Sequence, residues 1–158
     1  MKLLWISAVF AFAVDQISKY LVIHVMGVSE QNPVDVLPPL LRFRYGENRG
    51  INFGLFGDAV SVWVLVGIAL AICAAVLIWF WRNPQPPLAQ ASAGLLIGGA
   101  LANVLDRLLY GFVLDFLNMS CCSIENPFVF NMADIFIFSG AIGLVLFGHD
   151  QKTGKKGA

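Results

Sequence analysis

Two aspartates, Asp115 and Asp134, each stand beside a long apolar run. The first lies in Val113-Leu114-Asp115-Phe116, the second in Phe130-Asn131-Met132-Ala133-Asp134. A carboxylate at the edge of hydrocarbon is expensive and marks a functional site by default. Two that face each other cannot both ionise cheaply, so one proton is shared and the pair titrates as a unit. The ionised member can then take a proton from water, and the neutral member can polarise a carbonyl. Asn131 and Asn103 are candidate donors for holding the pair or a developing oxyanion. The competing reading is two unrelated capping carboxylates, since Asp134 suits a helix N-terminus.

Three further groups carry charge into apolar surroundings. Asp15 and Lys19 are four apart, hence on one helix face. An ion pair that ties the first helix to its neighbours is the favoured reading, and a part in shaping a site is compatible with it. Asn103, Asp106 and Arg107 form one polar stripe. Arg107 offers a planar fork of donors, for Asp106 or for a substrate. Gly94 and Gly98 on the same stretch permit close helix packing.

The elements that position these residues are membrane helices. The chain has 158 residues, 58% hydrophobic and 13% charged, with mean hydropathy +0.76. Soluble domains average about 25% charged. Net charge is zero, so nucleic acid is not an expected partner. Neither His24 nor His149 lies near a cysteine and no Cys-x-x-Cys occurs, so neither a metal site nor any cofactor is expected. Cys121 and Cys122 are expected to be free or incidental thiols, a bond between these neighbours being the unusual alternative. Lys2, the apolar run after it and Ala11-Phe12-Ala13 imitate a cleavable leader. The apolar character resumes after Lys19, so a span is expected instead.

A spanning helix needs about 20 apolar residues. Four spans are expected, at about 3–26, 60–81, 88–106 and 132–148, in one domain over 1–158. Trp5, Trp63, Trp79 and Trp81 fall near span ends. The connection through Arg82-Asn83-Pro84-Gln85-Pro86-Pro87 is short, and those over 27–59 and 106–131 are long. Lys2, Arg82, Lys152, Lys155 and Lys156 gather on the side of the termini, which places both termini in the cytoplasm. Asp15, Lys19, Asn103, Asp106, Arg107, Asp115 and Asp134 then all fall at the outer boundary. That clustering argues for one site. Leu41-Arg42-Phe43-Arg44-Tyr45 and Ile51-Asn52-Phe53-Gly54-Leu55 alternate around a turn at Glu47-Asn48-Arg49-Gly50. They predict a β-ribbon over about 40–56, resting on the outer surface. The fold class is thus all-α membrane protein, with four transmembrane helices and a small extracytoplasmic hairpin.

Together these residues resemble the lipoprotein signal peptidase family (signal peptidase II). The matching motifs are Asp15-Gln16-Ile17-Ser18-Lys19, Asn48-Arg49-Gly50, the run from Gly99 through Asn103 to Asp106-Arg107, Val113-Leu114-Asp115-Phe116 and Phe130-Asn131-Met132-Ala133-Asp134. One departure is that Ile51 and Asn52 precede Phe53, where the family usually has small residues. The resemblance implies an aspartic endopeptidase of the bacterial inner membrane, its site near the periplasmic face. It would remove the signal peptide from diacylglyceryl-modified prolipoproteins, cutting before the lipidated cysteine. Asp115 and Asp134 would be catalytic. Asn48, Gly50, Asn103, Arg107 and Asn131 would bind substrate or orient the pair, and Asp15, Lys19 and Asp106 would support it. Membrane lipid would be a partner, and the enzyme would act as a monomer.

Two other classes compete. A proton channel predicts polar residues through the whole membrane depth, which the second span lacks. A scaffold leaves the two aspartates unexplained. Serine proteolysis is disfavoured, since no Gly-x-Ser-Gly occurs.

Overall fold

A computed structural model describes residues 1–50, 61–121 and 126–148. Its order is α1 (Lys2–Lys19), a π-helical continuation (Tyr20–Val25), β1 (Val34–Leu37), β2 (Leu41–Asn48), α2 (Val62–Arg82), α3 (Pro87–Tyr110), β3 (Val113–Met119) and α4 (Met132–Phe147). Three helices are long and apolar enough to cross a membrane: Lys2–Val25, Val62–Arg82 and Pro87–Tyr110. The fourth, α4, has 16 residues and is about 24 Å long at 1.5 Å per residue.

The Ala- and Gly-rich α3 is the central helix, packed against α1, α2 and α4. Small residues explain the position. A Cβ at Gly98 would collide with the Ala8 carbonyl, and one at Gly94 with the Leu4 carbonyl and the Ser7 hydroxyl. On the other face, a Cβ at Gly99 would lie 2.6 Å from the Ala133 carbonyl oxygen. Close packing takes the place of a hydrophobic driving force that lipid does not supply. Large apolar side chains point outward instead: Trp63 is 72% exposed, Phe138 69% and Val145 83%. That is inside-out for water and normal for lipid.

Two apolar clusters mark the ends of the bundle. Leu4, Phe80, Ala89 and Leu144 meet at one end. They come from the start of α1, the end of α2, the start of α3 and the end of α4. Hence α1 and α3 run one way, α2 and α4 the other. At the opposite end Val22, Val28, Phe116 and Leu117 pack with Val34, Phe43 and Phe130. This cluster seats a three-stranded antiparallel sheet, ordered β1-β2-β3.

The sheet revises the expected ribbon. Residues 41–48 are a strand as predicted, but β1 and β3 are the described neighbours, with Val34 opposite Phe43 and Leu41 opposite Met119. The expected return segment, 51–55, lies outside the described residues, as does Cys122. Asp115 sits on β3, not in a loop. β3 escaped detection because it is buried on both faces, which removes the alternation that marks a half-buried strand. The free-thiol expectation also fails for Cys121, which is disulfide-bonded, whereas Cys73 is free and buried. Cys121 lies at the exposed end of the sheet, and exposure favours thiol oxidation.

Candidate active site

The helix α4 opens with a capping box. The Asn131 side chain accepts from the Asp134 N–H at 2.9 Å, and the Asp134 carboxylate accepts from the Asn131 N–H at 3.2 Å. A box of this kind satisfies two orphan donors at a helix start. It also places the Asp134 carboxylate in the first turn, where the helix dipole favours negative charge.

Asn131 does more than cap. Its Nδ2 donates to Asp115 Oδ1 at 2.6 Å, to Asn103 Oδ1 at 3.2 Å and to the Leu114 carbonyl at 3.4 Å. One fully buried side-chain amide therefore links the Asp115 carboxylate to the Asp134 N–H, while the Asn131 N–H holds the Asp134 carboxylate. Asn103 donates to Asp134 Oδ1 at 3.2 Å, and Asn48 donates to Asp115 Oδ2 at 3.2 Å. Both carboxylates thus accept from two separate donors. Burial, and secondly the nearby Asp134 charge, push the Asp115 carboxyl up to about 8. The pair therefore holds a proton at neutral pH and titrates as a unit.

Arg107 and Gly50 complete this group. Arg107 donates to the Gly50 carbonyl at 3.0 Å, and the Gly50 N–H donates to Asn48 Oδ1 at 3.2 Å. The guanidinium thus holds the end of β2, which carries Asn48. The alternative pairing of Arg107 with Asp106 is not the one formed. Asp106 pairs with Lys19 at 2.7 Å.

Lys19 also pairs with Asp15 at 2.7 Å, as the four-residue spacing predicts. Asp15 accepts from the Ala133 N–H at 2.8 Å, and Asp106 from the Leu114 N–H at 3.1 Å. Gln16 bridges the two carboxylates, at 3.2 Å to Asp15 and 2.9 Å to Asp106. Sequence reasoning passed over Gln16. The signal was present in its place beside Asp15, on a stretch otherwise apolar.

All ten residues singled out from sequence are therefore joined by hydrogen bonds into one assembly, at the end of the bundle that carries the sheet. Among the described residues three hollows reach it, one of them at Gln16, Lys19 and Asp106 and the other two nearer the aspartates. An apolar cleft of about 310 Å³ between α2, α3 and α4 is walled by Leu65, Ile68, Ile72 and Ile137 and ends at Asn103 and Arg107. A second hollow of about 200 Å³ opens beside Asp115 and Asn48, under Pro127 and Phe128.

Two buried aspartates that share a proton are a chemistry known from aspartic hydrolases. A family model for signal peptidase II matches residues 7–148. The chain belongs to the signal peptidase II family. It is thus an enzyme, an aspartic peptidase of the membrane that removes signal peptides. The chain is 37% identical to the lipoprotein signal peptidase of Trichormus variabilis, over 92% of this chain and 88% of the relative. It is 35% identical to that of Alteromonas mediterranea, over 100% of this chain and 87% of the relative. A bacterial membrane enzyme solved by the in meso method superposes with a TM-score of 0.77 at 27% identity, covering 97% of this chain and 92% of that one. The signal peptidase II family thus accounts for nearly the whole chain, with both aspartates inside the matched region.

Proposed function

We propose that Asp115 and Asp134 are the catalytic pair of a signal peptidase acting on diacylglyceryl-modified prolipoproteins, cutting before the lipidated cysteine. The observation that carries the reading is Asn131, whose side-chain amide donates to the Asp115 carboxylate and whose backbone N–H donates to the Asp134 carboxylate. Unrelated capping groups would not share one buried residue between them.

In this mechanism Asp134, at a helix N-terminus, acts as the base and takes a proton from a water molecule. The hydroxide so formed attacks the scissile carbonyl carbon. Asp115 donates its proton to the carbonyl oxygen, giving a neutral tetrahedral diol. Collapse of the diol breaks the C–N bond. Asp134 returns its proton to the leaving amine, and the diol returns one to Asp115. Asn48, Asn103 and Asn131 hold the carboxylates, while Arg107 and Gly50 fix the end of β2 that carries Asn48. Asp15, Lys19 and Asp106 support the frame.

Aliphatic side chains wall the apolar cleft, whereas Glu47, Asn48 and Asp115 border the hollow below the sheet, so each suits one reactant. The apolar cleft between α2 and α3 would take lipid or the apolar signal sequence. Water would arrive through the hollow beside Asp115, below the sheet. Four spans, with α4 the shortest, put both termini and the 82–87 turn in the cytoplasm. The sheet and the site lie at the periplasmic face of the inner membrane. The chain is a single domain over 1–158 and works as a monomer. Each buried methylene of a diacylglyceryl group contributes about 0.8 kcal/mol of membrane anchoring, so the lipid sets the depth of the scissile bond.

The test is cleavage by purified enzyme of a lipidated precursor and its unlipidated form, in matched detergent. Cleavage of the lipidated form alone, leaving a product that begins at the modified cysteine, is the expected result. Equal rates for both would remove lipid from the reading and leave a general membrane aspartic peptidase.

A further inference from the structure

The Asp15, Lys19 and Asp106 cluster has a symmetry that a simple helix staple does not need. Lys19 Nζ lies 2.7 Å from Asp15 and 2.7 Å from Asp106. Besides Lys19 and Gln16, each carboxylate holds one backbone N–H outside its own helix. Asp106 takes the N–H of Leu114, the residue immediately before Asp115. Asp15 takes the N–H of Ala133, the residue immediately before Asp134. Both links meet at one ammonium: β3 hangs from one carboxylate, and the first turn of α4 from the other.

We propose that Lys19 is a positioning residue that sets the separation of Asp115 and Asp134, through Asp106 on the Leu114 N–H and Asp15 on the Ala133 N–H. The inference rests on the reading of Asp115 and Asp134 as the reacting pair. Gln16 spans the two carboxylates and closes the frame. Lys19 is 4% exposed, Asp15 0% and Asp106 1%. Removing three charges from water carries a penalty of several kcal/mol per ion. Helix α1 is already held against α3 by the close approach at Gly94 and Gly98, so anchoring those helices does not call for a buried triad. Registering two separate backbone segments against each other does. Each grip acts one residue from a carboxylate, so a small shift in either moves a reacting group directly.

The test uses the full-length enzyme and lipidated precursor. The variants are Asp106→Asn, Asp15→Asn, Lys19→Met and the triple Asp15→Asn/Lys19→Met/Asp106→Asn. Lys19→Met leaves two carboxylates without their cation and is the variant most prone to fail in folding. The triple variant is uncharged, keeps an oxygen to accept each N–H, and covers that case. Rates are taken per folded molecule, from thermal unfolding. For the folded variants kcat should fall by about 100-fold, the scale of a misplacement near 1 Å, with KM nearly unchanged. A staple that only stabilises the bundle would lower the melting temperature and leave kcat in place. Wild-type kcat in folded Asp106→Asn and in the triple variant overturns the proposal, while the pair itself stands. Retained activity in Asp115→Asn, run in parallel, overturns the pair and the proposal together.

Discussion

Replacing Asn131 separates its two duties. The side-chain oxygen caps α4, and the side-chain nitrogen donates to Asp115 at 2.6 Å. Asn131→Ser keeps a capping oxygen but cannot place a donor on Asp115. Asn131→Ala loses both. Loss of an N-cap costs about 1 kcal/mol of stability. A hydrogen bond to a charged group is worth about 1.5–3 kcal/mol. In the pair the charge is shared, so the bond steadies whichever carboxylate arrangement the reaction passes through. If that energy appears in the barrier, cleavage by Asn131→Ser falls by about 10- to 150-fold, at 1.36 kcal/mol per decade. Its melting temperature stays near wild type. Asn131→Ala should show the same loss of rate together with a lower melting temperature. The assay is single-turnover cleavage of a lipidated precursor, beside thermal unfolding of each variant. Asn131→Ser with more than half of wild-type activity would refute the reasoning, because the bridging bond would then be dispensable.

Other outcomes follow from the same geometry. Asp115 keeps its proton to about pH 8, so kcat/KM should fall as pH rises past that value. The sign for stability is the same. Between about pH 4, where an unfolded aspartate ionises, and pH 8 the folded chain binds the extra proton, so stability falls with rising pH. Melting temperatures at several pH values should show this slope, and Asp115→Asn should flatten it; an equal slope in that variant would remove Asp115 as its source. Gly98→Ala puts a methyl against the Ala8 carbonyl and should destabilise by about 1–3 kcal/mol, read as a lowered melting temperature; no change would mean that α1 and α3 are not in close contact. Reporter fusions within 83–87 should read as cytoplasmic and those within 28–39 or at Ser120 as external. A cytoplasmic signal at Ser120 would place the sheet on the wrong face.

Much of the site was legible in the sequence because charge in an apolar run is costly and therefore informative. Asp15, Lys19, Asp106, Arg107, Asp115 and Asp134 all stood out in that way. Gln16 did not, since a neutral amide raises no alarm, although it spans two buried carboxylates. The helices were legible for a similar reason, as long apolar runs, and Gly94 and Gly98 marked α3 as close-packed. The sheet was read only in part. β2 alternates and was recognised, whereas β3 is buried on both faces and reads as a continuation of the apolar run after α3. The pairing of Leu41 with Met119 joins residues far apart in the chain, and no local pattern encodes it. The capping box was half seen: Asp134 was expected at a helix N-terminus, but the turn of Asn131 toward Asp115 depends on where β3 lies.

The most direct test of the account is cleavage of a lipidated prolipoprotein by Asp115→Asn, Asp134→Asn and the double variant. Amide and carboxylate are nearly isosteric, so each protein should fold, with the caps of α4 largely kept. Each single variant should lose almost all activity, and the double variant should be little worse than either, because the pair acts as a unit. More than about a tenth of wild-type activity in either folded single variant, under about 1.4 kcal/mol of barrier, would contradict the assignment of Asp115 and Asp134 as the catalytic pair.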